Sequence, residues 1–119
     1  LKLAVFDFLV NNADRKAAHC LKGFDGRIWA IDHGLTFHEH PKLRTVLTEY
    51  MGQPIPGWIL RDLAGLLNRE RKASTLKQSL AQLLDRKEID LFFERLRRLV
   101  QQRTCPDGRT YGYRSFDWW

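Results

Sequence analysis

Two short apolar segments joined by an Asp-Gly turn constrain the fold of this chain more than any other feature. The segments cover residues 19–22 and 27–31, and Asp25 and Gly26 lie between them. Asp-Gly between two such segments is a strong local signal for a β-hairpin. The sequence therefore predicts two antiparallel strands near the start of the chain, with Trp29 packed in the sheet.

An acidic loop motif flanks the predicted hairpin on each side. Asp14 lies in the stretch NNADRK before the first strand, and Asp32 begins DHG directly after the second strand. Phosphoryl transfer needs two carboxylates close together, one for the acceptor hydroxyl and one that holds Mg²⁺ on the nucleotide phosphates. Protein kinases place them in D-x-x-x-x-N and D-F-G, with a short strand pair between. Here four residues separate Asp14 from His19, and Gly34 is expected to allow a sharp turn beside Asp32.

The two stretches FDFLVNNADRKAAH and GRIWAIDHGLTF resemble the catalytic core of the phosphatidylinositol 3-/4-kinase superfamily. They are most similar to the type II phosphatidylinositol 4-kinases and their bacterial relatives. The resemblance covers residues 3–40 and implies a protein-kinase-like C-terminal lobe, mainly α with a short β-hairpin. It implies an ATP-dependent phosphotransferase that uses Mg²⁺ and phosphorylates a hydroxyl group on an inositol lipid, a small alcohol or a protein.

The resemblance also implies a role for each residue of the two motifs. Asp14 would be the catalytic acid or base, and Arg15 would lie in the catalytic loop near phosphate or a structural carboxylate. Lys16 and His19 would contact the nucleotide, while Asp32 would bind the metal with His19 as a further ligand. His19 stands where many kinases have asparagine, and imidazole suits Mg²⁺ less well, so Mn²⁺ becomes plausible. A catalytically inactive pseudokinase therefore stays an alternative.

Some parts that a complete kinase needs are not found in the sequence. The eight glycines are scattered, whereas the family carries a glycine-rich phosphate loop and a strand lysine in its N-terminal lobe. The one methionine is Met51, so Leu1 is not expected to be a natural start. We therefore expect residues 1–119 to be a single C-lobe domain without its N-lobe, which alone binds ATP weakly and turns over nothing.

Charge is distributed unevenly and suggests a second class of function. The formal net charge is +6, yet residues 1–41 are neutral, and residues 69–103 hold ten basic against five acidic side chains. A basic helical module that binds nucleic acid or an anionic surface is therefore an alternative. Acidic residues interleave with the basic ones, which is typical of a solvated helix and makes a nucleic-acid partner the weaker hypothesis.

A third alternative is a metal-dependent hydrolase built on the histidines of DHGLTFHEH. His33, His38 and His40 lie there with Asp32 and Glu39. His38 and His40 would share a face only in a strand, and a closed zinc site needs four well-placed ligands. Polar loop residues are the simpler interpretation of this stretch.

The remaining sequence favours helices. Residues 1–10 are expected to be the end of a buried helix, with a buried strand as the alternative, since periodicity alone does not decide. Residues 42–103 are expected to form the helical part, with helices over residues 42–51, 58–68, 76–84 and from Asp85 almost to Cys105, and residues 104–119 an aromatic tail. The helix over residues 76–84 would place Leu83 on its apolar face, and the last helix would bury a stripe made of Ile89, Phe92, Phe93, Leu96, Leu99 and Val100. Asp85 and Glu88 have the spacing of a capping box. No apolar run reaches the roughly 18 residues that span a membrane, and two cysteines are too few for a disulfide framework. A cytoplasmic protein without a transmembrane segment is expected.

Overall fold

The computed structural model describes residues 1–71 and 75–107 of the chain. Its regular structure in those ranges is α1 (Lys2–Leu9), β1 (Cys20–Lys22), β2 (Ile28–Ala30), α2 (Gly57–Arg71), α3 (Thr75–Ala81) and α4 (Arg86–Gln102). The predicted class, mainly helical with one short hairpin, is confirmed. Most of the predicted aromatic tail, residues 108–119, lies outside the described ranges. Among the helices described, none is long and apolar enough to cross a membrane.

Helix α4 organises the core, since it packs against α1, α2 and α3. Apolar residues spaced three or four apart put one face of α4 in the core, and its buried members are Ile89, Phe92, Phe93, Leu96 and Leu99. The Asp85 carboxylate accepts a hydrogen bond from the Glu88 N–H at 2.8 Å, and the Glu88 carboxylate accepts one from the Asp85 N–H at 2.8 Å. The predicted stripe and the predicted capping box are therefore both confirmed.

Helices α2 and α3 occupy the predicted regions with shifted ends. α2 runs three residues beyond the predicted end at position 68, and α3 ends at Ala81 rather than at position 84. Leu83, which the helical pattern placed on the buried face, lies in the turn before α4 and is 84% exposed. The strong cap at Asp85 fixes the start of α4, and a turn must precede it.

The helix predicted over residues 42–51 is wrong. The segment is irregular apart from a single 3₁₀ turn, Thr48–Tyr50. Its backbone pairs with the loop before the hairpin: the Arg15 N–H donates to the Arg44 carbonyl at 3.0 Å, and the Val46 N–H donates to the Arg15 carbonyl at 3.1 Å. These bonds use backbone groups that a helix would have paired internally, so tertiary pairing overrides local preference here.

The hairpin pairs β1 with β2 in antiparallel register, with Leu21 opposite Trp29. Gly26 has a φ of +80°, which glycine adopts without strain and which explains the Asp-Gly turn. The packing predicted for Trp29 is wrong, because its side chain is 55% exposed and its neighbour Ile28 is 62% exposed. Successive strand residues point to opposite faces, so both faces of this two-stranded sheet are exposed at these positions.

Candidate metal and catalytic site

Two loops run side by side and bring the flanks of the hairpin together. The Ala13 N–H donates to the Leu35 carbonyl at 2.9 Å, and the Phe37 N–H donates to the Val10 carbonyl at 2.7 Å. Buried Asn11, with a φ of +55°, donates from Nδ2 to the carbonyls of residues 38 and 40 at 2.9 and 2.8 Å. The loop before the hairpin is thereby fixed against the loop after it.

Buried Arg15 connects the two ends of the hairpin to Asp7. Its side chain is fully buried, and Nε and Nη2 donate to the two carboxylate oxygens of Asp7 at 2.8 and 2.9 Å. Nη1 donates to the carbonyls of His19 and Ile31 at 3.4 and 3.1 Å, which lie beside the outer ends of the two strands. Hydrogen bonding to Asp7, opposed by burial, raises the pKa of Arg15 above its ordinary value.

These contacts change the role that was expected for Arg15. Of the two positions considered, near phosphate or near a structural carboxylate, the structure shows the second, with Asp7 as the carboxylate. The guanidinium has no exposed surface, and its nitrogens are engaged by Asp7 and by the carbonyls of His19 and Ile31. The structure thus places Arg15 where it can position the residues around it, and its assignment among the catalytic residues stays a prediction.

Asp7 and Asn12 were not predicted as part of the site, although both are fully buried. Asn12 donates from Nδ2 to Asp7 Oδ1 at 3.1 Å and accepts the Asp14 N–H at its Oδ1 at 3.0 Å. The sequence carried one signal for this network: Asp7 is the single acid in the apolar stretch LKLAVFDFLV, and a buried carboxylate requires a partner. Asn12 therefore connects the buried pair of Asp7 and Arg15 to Asp14.

Three potential metal ligands lie close together and are connected to this network through Asn12: Asp14, His19 and Asp32. Each offers one ligand atom, and the three atoms lie within 4.8 Å of one another. His19 Nε2 lies 3.2 Å from Asp32 Oδ2, and His19 Nδ1 lies 3.0 Å from the Asp14 carbonyl oxygen. Asp14 Oδ1 is buried and accepts no hydrogen bond from the described residues, while Lys16 Nζ lies 3.5 Å from it.

The donor set fits a divalent cation. Two carboxylates and one imidazole are ligands that suit Mn²⁺, and carboxylates suit Mg²⁺. His19 Nδ1 lies 3.0 Å from the Asp14 carbonyl oxygen and 3.4 Å from the Lys16 backbone nitrogen, so it can donate to the first or accept from the second. In the tautomer that donates to the Asp14 carbonyl, the Nε2 lone pair is available to a metal. Asp14 Oδ1 is buried and accepts no hydrogen bond from the described residues, although Lys16 Nζ lies 3.5 Å away, so a bound cation could take it as a ligand. Asp14, His19 and Asp32 are therefore the residues that could hold the ion.

The backbone turn at the second motif lies at Asp32 itself. Asp32 has a φ of +61°, in the left-handed region that aspartate tolerates better than most residues, whereas Gly34 has no positive φ. The role expected for Gly34, a sharp turn beside the metal ligand, is therefore wrong. The left-handed turn directs the Asp32 carboxylate back toward His19, where its side chain is 58% exposed.

The other histidines of DHGLTFHEH do not join this cluster. The His33 ring packs edge-on against Phe6 with centroids 5.6 Å apart, and His38 Nδ1 accepts the His40 N–H at 3.0 Å. Within the described ranges, the single group of three or more potential ligands is Asp14, His19 and Asp32. The hydrolase alternative built on His33, His38 and His40 gains no support from their positions.

Comparisons with known proteins add one relative. The chain is 40% identical over 117 residues to protein Rv2133c of Mycobacterium tuberculosis. The aligned part is 98% of this chain but 41% of that protein, so the chain spans less than half the length of its relative. No protein-family model and no solved structure matches the chain.

Proposed function

We propose that this chain carries the catalytic and metal-binding loops of an ATP-dependent phosphotransferase with a protein-kinase-like C-terminal lobe. The observation that carries the proposal is the cluster of Asp14, His19 and Asp32, whose ligand atoms lie within 4.8 Å of one another across the base of a hairpin. The order of the two motifs and the hairpin between them support it, because kinases place the same two acidic functions around a strand pair.

In the proposed reaction Asp14 acts on the acceptor hydroxyl. The Asp14 carboxylate takes the hydroxyl proton while the oxygen forms a bond to the γ-phosphorus and the bond to the ADP oxygen breaks. Hydrogen bonding of the Asp14 N–H to Asn12 and of its carbonyl to His19 would fix the orientation of this carboxylate. Lys16 Nζ lies 3.5 Å from Asp14 with a half-exposed side chain, where it could offset charge on the phosphoryl group.

His19 and Asp32 are proposed to hold the divalent cation. When bound, the ion supplies charge neutralisation on the nucleotide phosphates. Asp32 is exposed enough to reach a ligand from solvent, and His19 is oriented by the Asp14 carbonyl. Arg15 keeps the two residues at a fixed separation, because it binds the carbonyl of His19 and that of Ile31, the residue before Asp32.

A titration of the 119-residue chain with Mn²⁺ tests the metal site directly. We expect saturable binding by calorimetry, weakened at least about tenfold by His19→Ala or Asp32→Asn. Asp25→Asn is the matched control, since Asp25 lies at the exposed hairpin turn and should leave binding unchanged. Equal Mn²⁺ binding by all variants would contradict the site, and stoichiometric zinc in the purified protein would favour a hydrolase instead.

Phosphoryl transfer is tested in the full-length protein with radiolabelled ATP and Mg²⁺ or Mn²⁺. Replacing the base by Asp14→Asn should lower turnover by about 10²- to 10⁴-fold while leaving a folded protein. Full activity in Asp14→Asn would refute the assignment of the base. Metal and nucleotide binding without any turnover by the natural protein would identify a pseudokinase.

The basic-module alternative has less support. On α4, Arg86 pairs with Asp90 at 4.0 Å and Arg98 pairs with Glu94 at 3.8 Å. These pairs distribute positive charge among acids rather than collecting it on one face. A salt-sensitive shift of DNA at low ionic strength would revive this alternative.

A further inference from the structure

Asp7 is a buried carboxylate from which two branches of hydrogen bonds lead to the site. It lies in α1, which packs against α4, and it has no exposed surface. Its Oδ2 accepts from Arg15 Nε at 2.8 Å, while its Oδ1 accepts from Arg15 Nη2 at 2.9 Å and from Asn12 Nδ2 at 3.1 Å. We name the two paths the Asn12 branch and the Arg15 branch, because each leaves Asp7 through a different side chain.

The Asn12 branch has a defined direction. Both carboxylate oxygens of Asp7 receive N–H groups from Arg15 and act as acceptors, so the Asn12 amide must turn its Nδ2 toward Asp7. Its Oδ1 then faces the Asp14 N–H, from which it accepts a hydrogen bond at 3.0 Å. The Asn12 backbone fixes this position further, since its N–H donates to the Asp7 carbonyl at 2.9 Å. The opposite orientation of the amide would place Nδ2 against a donor, so Asp7 determines which atom meets Asp14.

The Asn12 branch ends at the proposed base. Asp14 lies outside any helix or strand, so no regular pattern of backbone hydrogen bonds fixes its orientation. Its N–H is held by Asn12, and its carbonyl oxygen lies 3.0 Å from His19 Nδ1. A part-buried N–H that loses its acceptor is unfavourable, so the backbone at Asp14 would shift once the Asn12 amide is removed. The position of the base therefore depends on Asn12, which is oriented by Asp7.

The Arg15 branch reaches the metal-binding residues instead. Arg15 Nη1 donates to the carbonyls of His19 and Ile31 at 3.4 and 3.1 Å, and the Ile31 N–H donates to the His19 carbonyl at 3.0 Å. His19 is one proposed ligand, and Ile31 directly precedes the other, Asp32. This branch sets the separation of the two ligands without passing through the Asn12 amide.

We propose that Asp7 is a positioning residue that places the two halves of the site separately, the base through the Asn12 branch and the metal-binding residues through the Arg15 branch. The inference rests on the proposed function for the roles of the two halves. A buried ion pair is weak evidence for stability, because desolvation offsets its attraction and apolar side chains would often stabilise a fold equally well. A role in positioning explains this acid better, since one carboxylate on a packed helix gives both halves a common anchor.

Amide hydrogen exchange of the isotopically labelled 119-residue chain, followed by NMR, tests the two branches in the absence of metal. Asn12→Ala removes the acceptor of the Asp14 N–H, so exchange of this amide should be about tenfold faster, while the Ile31 amide stays within about twofold. Arg15→Lys keeps the charge but removes the planar fork, and it should show the opposite pattern. Asp7→Asn should accelerate exchange of both amides.

Turnover and Mn²⁺ binding of the full-length protein separate the two branches at the level of function. Asn12→Ala should lower kcat at least about tenfold and leave the Kd for Mn²⁺ within about twofold, because it displaces the base and not the ligands. Arg15→Lys should raise the Kd for Mn²⁺ at least about tenfold. Ile89→Ala is the control for a general loss of stability: this buried residue lines a cavity between α3 and the start of α4, and the change should leave kcat and Kd within about twofold.

A measurement on the natural chain keeps the test decisive if a variant does not fold. The Asp14 nitrogen and the carbonyl carbon of the Asn12 side chain should show a scalar coupling across their hydrogen bond, and its absence would overturn the proposal. The proposal is also overturned if Asn12→Ala leaves exchange of the Asp14 amide unchanged, or if Asn12→Ala and Arg15→Lys affect both amides equally. Absence of Mn²⁺ binding and turnover in the natural protein would instead contradict the proposed function, and the exchange pattern would still show whether the two branches are separate.

Discussion

The loop region, residues 7–45, and the helical region, residues 57–102, are built by different rules. In the helical region, caps and apolar stripes determine the helices. In the loop region, each strand has three residues, and three non-glycine residues have positive φ: Asn11, Asp32 and Phe37. Its buried polar side chains are Asp7, Asn11, Asn12, Arg15 and Thr45. Irregular backbone that is held by buried polar groups is what brings Asp14, His19 and Asp32 together.

The largest expected effect comes from breaking the polar network of the loop region with Arg15→Ala. The substitution leaves the Asp7 carboxylate buried without its cation and frees the carbonyls of His19 and Ile31. We expect a loss of about 3–5 kcal/mol in the free energy of unfolding. Urea unfolding followed by circular dichroism measures this loss.

Arg27→Ala is the control for Arg15→Ala. Arg27 also pairs with an aspartate, Asp25, but its side chain is 76% exposed, so we expect a loss below about 1 kcal/mol. Mn²⁺ binding should weaken with Arg15→Ala and stay unchanged with Arg27→Ala. Equal stability losses in the two variants would show that burial of the Arg15 pair does not organise the loop region.

A smaller effect is expected in the helical region from Asp85→Ala. The change removes the acceptor for the Glu88 N–H at the start of α4, which should cost about 1 kcal/mol. Mn²⁺ binding should not change, because this cap lies in the helical region and contacts none of the ligands. Asp90→Ala, on the exposed face of the same helix, is the matched control and should cost less. A loss of Mn²⁺ affinity with Asp85→Ala would contradict the separation of the two regions.

This contrast explains how much the sequence could predict. The stripe and cap of α4 follow from local spacing, and so does the hairpin, since Gly26 supplies the turn that Asp-Gly signals. The clustering of Asp14 with Asp32 could be expected from the same hairpin. The burial of Arg15 could not be predicted, because it depends on the ion pair with Asp7, which lies in α1. The irregular path of residues 42–51 likewise depends on pairing with a distant loop.

Asp32→Gly should have the smallest effect on stability and the opposite sign. Asp32 has a φ of +61°, so glycine removes local strain, while the contact that is lost to His19 lies on a 58% exposed side chain. We expect a gain of about 0.5 kcal/mol in the free energy of unfolding without metal, together with loss of the stabilisation that Mn²⁺ gives the natural chain. Asp32→Asn is the matched control, because asparagine also tolerates the left-handed region: it should lose the Mn²⁺ effect with almost no change in stability. If Asp32→Gly instead lowers the free energy of unfolding of the metal-free chain, then the Asp32 side chain stabilises the fold as well as binding the metal.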